Sequence, residues 1–303
     1  MIEKFNFYDV YGYFLPGAAF LAILWIPFGL VRNSWPSSTW SSAIIAAAFA
    51  YILGHLVQSI ATNAIPSWEV KGPTGKNRYP SEIYLDSTDK ELPEICKKKI
   101  QDLMKQQFGL ELQVDRPGDD AIDKIRHNAF LLARQMLIQG KAVSYAEQFQ
   151  GMYALTRGLV SVFALGTAYW LGWAATAEVK SRLTVGATIL IMAGSLLALL
   201  NISAVLLRNI PDPLKKRRIE LGYAVVLLIA FLAIGYALGV RYPATARQGA
   251  LLAFLAAWSI IACLRAYGAY KSFAGQFAGT VWRDYLAYNV AAAMQPKPDS
   301  GNK

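Results

Sequence analysis

The polar side chains best placed for chemistry sit inside an apolar run, at Gly54-His55-Leu56-Val57-Gln58-Ser59, where His55 and Gln58 are three residues apart and fall on one helix face. At membrane depth such groups face a bundle interior or a hydrated cavity. His55, Gln58 and Ser59 are therefore a candidate intramembrane polar site, with two roles open to it. An imidazole can relay protons, although no Asp or Glu stands near the centre of an apolar run to complete the relay. Neutral His and Gln also serve as hydrogen-bonding glue between helices. A second candidate joins Asp9, just before the first apolar run, to Arg157 or Arg265, each within a turn or two of a run's end. An ion pair there would tie helix ends together, and the alternative is that the long side chains reach the headgroups.

The remaining motifs have plainer explanations. Lys71-Gly-Pro-Thr-Gly-Lys76-Asn77 has two residues between its glycines and an Asn after the lysine, so it fails the phosphate-loop pattern and reads as a loop. His127 has no second histidine and sits between Arg126 and Asn128, as on a solvated helix face. Asp119 and Asp120 suit the negative charge favoured at a helix N-terminus. Cys96 and Cys263 lie far apart, without a CxxC pattern, and offer neither a disulfide framework nor a zinc site. With no nucleotide fingerprint, hydrolase elbow or metal-ligand spacing, the expectation is a protein with no catalytic, cofactor-binding or metal-binding residues.

The elements that must position these side chains follow from composition. Of 303 residues, 55% are hydrophobic and 17% charged, and the apolar ones gather into runs of about twenty, the length that crosses a hydrocarbon core. That excludes an ordinary soluble enzyme and a disordered chain alike. Six runs stand out, at 10–31, 40–62, 152–173, 183–207, 221–240 and 248–267. The first is too long for a cleavable leader, lacks a basic start and is followed at once by another run. Placing the N-terminus inside puts 23 Lys and Arg in the cytoplasm against five outside. Short loops carry most of this weight, and the loop 208–218, with Lys215, Lys216, Arg217 and Arg218, alone favours the same orientation. That basic cluster suits anionic lipid headgroups. Segment 63–150 balances thirteen basic against thirteen acidic residues, so the net charge of +10 is juxtamembrane and nucleic acid is not an expected partner.

Segment 63–150 reads as a cytosolic insert between the second and third spans. Alternating apolar residues predict short strands at 81–86 and 110–115. An amphipathic helix is predicted over 93–108, burying Ile100, Leu103, Met104 and Phe108 while Lys97, Lys98 and Lys99 point largely away. A second helix starts after the turn Pro117-Gly-Asp-Asp120 and runs to Gly140 on Ile122, Ile125, Ala129, Leu132, Ala133 and Met136. A third, from about Ala142, shows no break before Trp173 and forms a stalk coupling insert to bundle. Helical spacing also continues past Tyr267 through Phe273, Phe277, Val281, Tyr285 and Tyr288. These residues are expected to pack on the stalk aromatics Tyr145, Phe149 and Tyr153, with Gly275 and Gly279 permitting close helix approach.

The opening Phe5-Asn-Phe-Tyr-Asp-Val-Tyr-Gly-Tyr-Phe-Leu-Pro-Gly17 resembles the start of a loose group of bacterial multi-pass membrane proteins, and 149–157 and 273–283 resemble it too. Some members of that group occur as effectors in antiphage defence, which implies an inner-membrane location and supplies no site residues. Pro16-Gly17 is expected to kink or loosen the first span, and Tyr8, Tyr11 and Tyr13 to form an interfacial belt.

The expected protein is all-α: a six-span transmembrane bundle with both termini cytoplasmic and a mostly helical insert between spans 2 and 3. Its segments are 1–62, an N-terminal hairpin; 63–150, the insert with its stalk; 151–270, four further spans; and 271–303, a cytosolic helix and tail. The expected role is non-enzymatic. The insert docks a protein or small ligand and the bundle responds, altering permeability, with a homo-oligomer as one arrangement. A small-solute transporter or channel centred on His55 and Gln58 is the alternative.

Overall fold

The computed structural model describes residues 8–36, 39–65, 70–71, 77–115, 119–140, 145–176 and 213–294. Among them the fold is helical apart from one two-residue pairing, β1 (Val70–Lys71) antiparallel to β2 (Asn77–Arg78). The helices are α1 (Leu15–Arg32), opened by a π-helical turn over Asp9–Phe14, α2 (Trp40–Ala64), the single turn α3 (Pro80–Ile83), α4 (Glu94–Phe108), α5 (Asp120–Gln139), α6 (Ala146–Ala174), α7 (Pro213–Arg241) and α8 (Ala246–Met294). Five segments are long and apolar enough to cross a bilayer: Asp9–Arg32, Trp40–Ala64, Ala146–Ala174, Gly222–Arg241 and Ala246–Ala291. The expected span at 183–207 lies outside the described residues, as do residues 141–144, where the stalk was expected to begin.

Local chemistry sets the helix boundaries. Thr39 caps α2 through a reciprocal pairing with Ser42. Asp119 caps α5 by accepting from the Ala121 and Ile122 N–H groups, both at 2.9 Å. Gly109 ends α4 at φ 68°, a conformation glycine adopts without steric cost.

The chain divides into two compact units, Met1–Ser67 with Gly151–Tyr270, and Trp68–Gln150 with Lys271–Lys303. In the first, Phe20, Ile23, Val57, Val162, Leu165, Trp173 and Leu252 form the core. Gly17 and Gly54 bring α1 and α2 to backbone contact: a methyl group at Gly17 would strike the Ala50 carbonyl, and one at Gly54 the Tyr13 carbonyl. Dispersion and close approach hold helices together where there is no water to expel.

The second unit buries Ile100, Met104, Phe130, Ala133 and Leu137 against Ala278, Val281, Trp282 and Tyr285 of α8. Two sequence expectations are corrected here. Neither 81–86 nor 110–115 is a strand. Pro80 opens a helical turn in which the Glu82 carboxylate accepts from the Tyr79 N–H at 3.0 Å. In 110–115, Leu112 and Val114 do alternate inward, yet side chains replace a partner strand. Arg126 donates to the Leu112 and Gln113 carbonyls at 3.1 and 2.8 Å, and the Val114 N–H donates to Gln101 Oε1 at 3.1 Å.

The second correction concerns charge. Lys97 and Arg126 are both fully buried. Lys97 Nζ donates to the carbonyls of Asp86 and Asp89, each at 2.6 Å, and to Glu94 Oε1 at 2.8 Å. Arg126 lies 3.3 Å from the buried Asp86 carboxylate, whose other oxygen accepts from the Thr88 N–H and hydroxyl. The buried face of α5 therefore centres on Arg126, Phe130, Ala133 and Leu137, leaving Leu132 37% exposed. Removing one member of a buried ion pair strands the other and costs about 3–5 kcal/mol. Arg126→Met is accordingly expected to abolish hydrogen-exchange protection in α4 and α5 of the full chain while sparing α1 and α2. Unchanged protection of α5 would show the network to be dispensable.

Candidate functional site

Proline 16 follows the π-helical turn and brings no N–H to it, where the Leu15 N–H already reaches back five residues to the Val10 carbonyl. In hydrocarbon a carbonyl without a main-chain donor needs a partner from a neighbouring helix. Gln58 of α2 provides it, donating through Nε2 to the Gly12 carbonyl at 2.6 Å and to the Ala154 carbonyl of α6 at 2.7 Å. Its Oε1 accepts from Arg157 of α6 at 3.2 Å. One buried carboxamide thus joins three helices. The amide fits because residue 158 is glycine: a methyl group there would lie 2.8 Å from Gln58 Nε2 and 2.9 Å from the Pro16 ring.

The same device recurs further along α1. Pro27 withholds a donor from the Ile23 carbonyl, and the indole N–H of Trp170 donates to it at 2.9 Å. Tyr169 adds a bond to the neighbouring Leu24 carbonyl at 3.3 Å.

At 1.5 Å per residue, Gln58 lies about 27 Å along α2 from Trp40, and Arg157 about 26 Å along α6 from Ala174. Against a core of about 30 Å, the node sits near one boundary. Arg157 also lies over the Tyr153 ring, 5.6 Å from its centroid. Tyr153 in turn stacks on Tyr270 of α8 at 4.8 Å, and Phe149 meets Phe273 at 6.3 Å, the aromatic pairing expected between stalk and last helix.

The sequence candidates separate. Gln58 is buried, 5% exposed, whereas His55 and Ser59 are exposed. His55 stacks on Tyr13 at 3.9 Å and meets the edge of Tyr51, so it does not share the environment of Gln58. None of the ion pairs found among the described residues joins Asp9 to Arg157 or Arg265, and Arg265 is exposed. Lys215, Lys216, Arg217 and Arg218 belong to the helical backbone of α7, and their side chains lie outside the described set. Gly275 and Gly279 make room for the Tyr84 ring, 3.0 Å from a methyl group placed at Gly279, and not for another helix backbone. No group of acidic, His and Cys residues suited to a metal ion occurs among the described residues.

The second unit carries a cavity of about 530 Å³ lined by Gln107, Phe108, Leu132, Gln135, Met136 and Gln139. Gln107 is held by both ends of its amide, accepting from the Tyr285 hydroxyl at 2.7 Å and donating to Asn289 at 2.5 Å. Beside Lys97, burial pushes the Asp89 carboxyl above its ordinary range, opposed by the N–H groups of Glu91 and Leu92 and by Lys97. A carboxyl raised in this way costs stability in full above its folded pKa, and the cost shrinks as pH falls below that value and is gone below the unfolded one.

Five bilayer-length apolar helices and a polar node bridging three of them define a multi-pass, helical membrane protein. No protein-family model, characterised protein or solved structure matches the chain.

Replacing Gln58 with Leu removes the donor for two main-chain carbonyls and the acceptor for Arg157. The expected loss is about 1–2 kcal/mol, read as a lower unfolding temperature of the full chain in detergent. His55→Ala, on the exposed side, is expected to change it little. Equal effects of the two variants would refute the assignment of Gln58 as the structural node.

Proposed function

We propose that this is a non-enzymatic bacterial inner-membrane protein with both termini in the cytoplasm, whose insert docks a protein or small ligand and passes that event to the membrane bundle, altering permeability. The observation that carries this reading is that the two units, each with its own core, share two unbroken helices. Helix α6 runs without interruption through Gln150 and Gly151, and α8 through Tyr270 and Lys271. Helices resist bending over such distances, so a displacement of one end is felt at the other. The cleft formed by Gln107, Gln135 and Gln139 over Phe108, Leu132 and Met136 is the docking surface, offering uncharged donors and acceptors above an apolar floor. Resemblance of the opening segment to defence-associated membrane proteins agrees with a permeability role.

A small-solute transporter or channel centred on His55 and Gln58 receives less support. It needs a hydrated path past both side chains, whereas the Gln58 donors are spent on main-chain carbonyls and His55 lies among aromatic rings.

The test is potassium efflux from a bacterial host expressing the full chain, beside a variant with three glycines inserted between Gln150 and Gly151. Efflux from the first that is lost or becomes constitutive in the second supports coupling through α6. Identical efflux from both refutes coupling, and efflux from neither, even when copies are clustered by a fused dimeriser, refutes the permeability role.

A further inference from the structure

Among the described residues, Arg157 has no carboxylate partner. A guanidinium remains protonated at any physiological pH, and the partners of this one are the neutral amide oxygen of Gln58 and the ring of Tyr153. The bond to Gln58 engages one of its five N–H donors, and Nε is buried without any hydrogen-bond partner. Buried donors are almost always satisfied, and a partly buried cation with unused donors is suited to an acceptor that carries negative charge.

Three features narrow the class of acceptor. Arg157 lies toward one end of a membrane-length helix, where a long side chain can reach headgroup phosphates. Gln58 is itself fixed by two carbonyls, so its oxygen holds the guanidinium in one orientation and the remaining donors are preorganised. A planar guanidinium matches the oxygens of a phosphate through two parallel bonds. We propose that Arg157, oriented by Gln58, is a binding site for a phosphate group, supplied by the headgroup of an anionic phospholipid or by a soluble phosphate. This site stands independently of the docking role assigned to the insert.

The experiment follows unfolding of the full chain in neutral detergent while phosphatidylglycerol or inorganic phosphate is titrated in at constant ionic strength. Wild type is expected to be stabilised at a concentration about tenfold or more below that needed by Arg157→Gln. Arg157→Lys retains the charge but lacks Nε and the planar fork, and is expected to bind more weakly than wild type. It also serves if the glutamine variant does not fold. Protection by the lipid alone assigns a headgroup site, and protection by inorganic phosphate as well assigns a soluble phosphate. Equal protection of wild type and either variant, or of none of them by either probe, overturns the proposal.

Discussion

The donation from Gln58 to the Gly12 carbonyl is the contact on which the first unit depends. Proline in a membrane helix exposes a main-chain acceptor in a medium with no water to satisfy it, and α1 carries two such residues, Pro16 and Pro27. Each exposed carbonyl is met by a side-chain donor from a different helix, Gln58 from α2 and Trp170 from α6. The defects in α1 become the specific contacts that fix its neighbours. Apolar helices alone can slide or rotate against one another in lipid, and two donors aimed at two proline-freed carbonyls remove that freedom.

A related logic operates in the second unit, in different chemistry. Residues 84–92 and 109–115 form no regular element, and their main-chain carbonyls would be orphaned in a small core. Lys97 and Arg126 reach in to satisfy them while meeting the Glu94 and Asp86 carboxylates. The desolvation of these ions is offset by several hydrogen bonds apiece, which is the condition under which a buried charge is tolerated. Trp282 ties α8 to the same segment through its bond to the Ser81 carbonyl at 3.1 Å. The insert is thus built around a helix that belongs to the chain's C-terminal end.

Much of this was legible in the sequence, and what was missed has a common cause. Hydropathy and helix length gave α1, α2, α6 and the apolar parts of α7 and α8, because a bilayer imposes length and composition at once, whereas residues 213–218, read as part of a loop, form the first turns of α7. Amphipathic spacing gave α4, and a cap signal gave α5. Of the aromatic residues spaced past Tyr267, Phe273 meets Phe149 as expected, whereas Phe277 meets Phe130 of α5 and Tyr285 bonds to Gln107 of α4 instead of the stalk. Lys97 and Arg126 were read as solvated because charge normally seeks water, and only the tertiary arrangement shows the carbonyls that reward their burial. His55 and Gln58 share a face at helical spacing, yet the boundary of protein and lipid runs between them. The usable signal was in the prolines. Counting back four residues from Pro27 names Ile23 as a carbonyl in need of a donor, and Pro16 marks the opening turn whose Gly12 carbonyl Gln58 meets.

The most direct test of this account is a double-mutant cycle between Pro16→Ala and Gln58→Leu, followed by thermal unfolding of the full chain in detergent. Alanine at 16 restores a main-chain N–H to the turn that holds Gly12, so the cost of losing Gln58 should shrink in that background, with a coupling of about 1 kcal/mol. Strictly additive effects would mean that Gln58 does not compensate for Pro16, and would contradict the account.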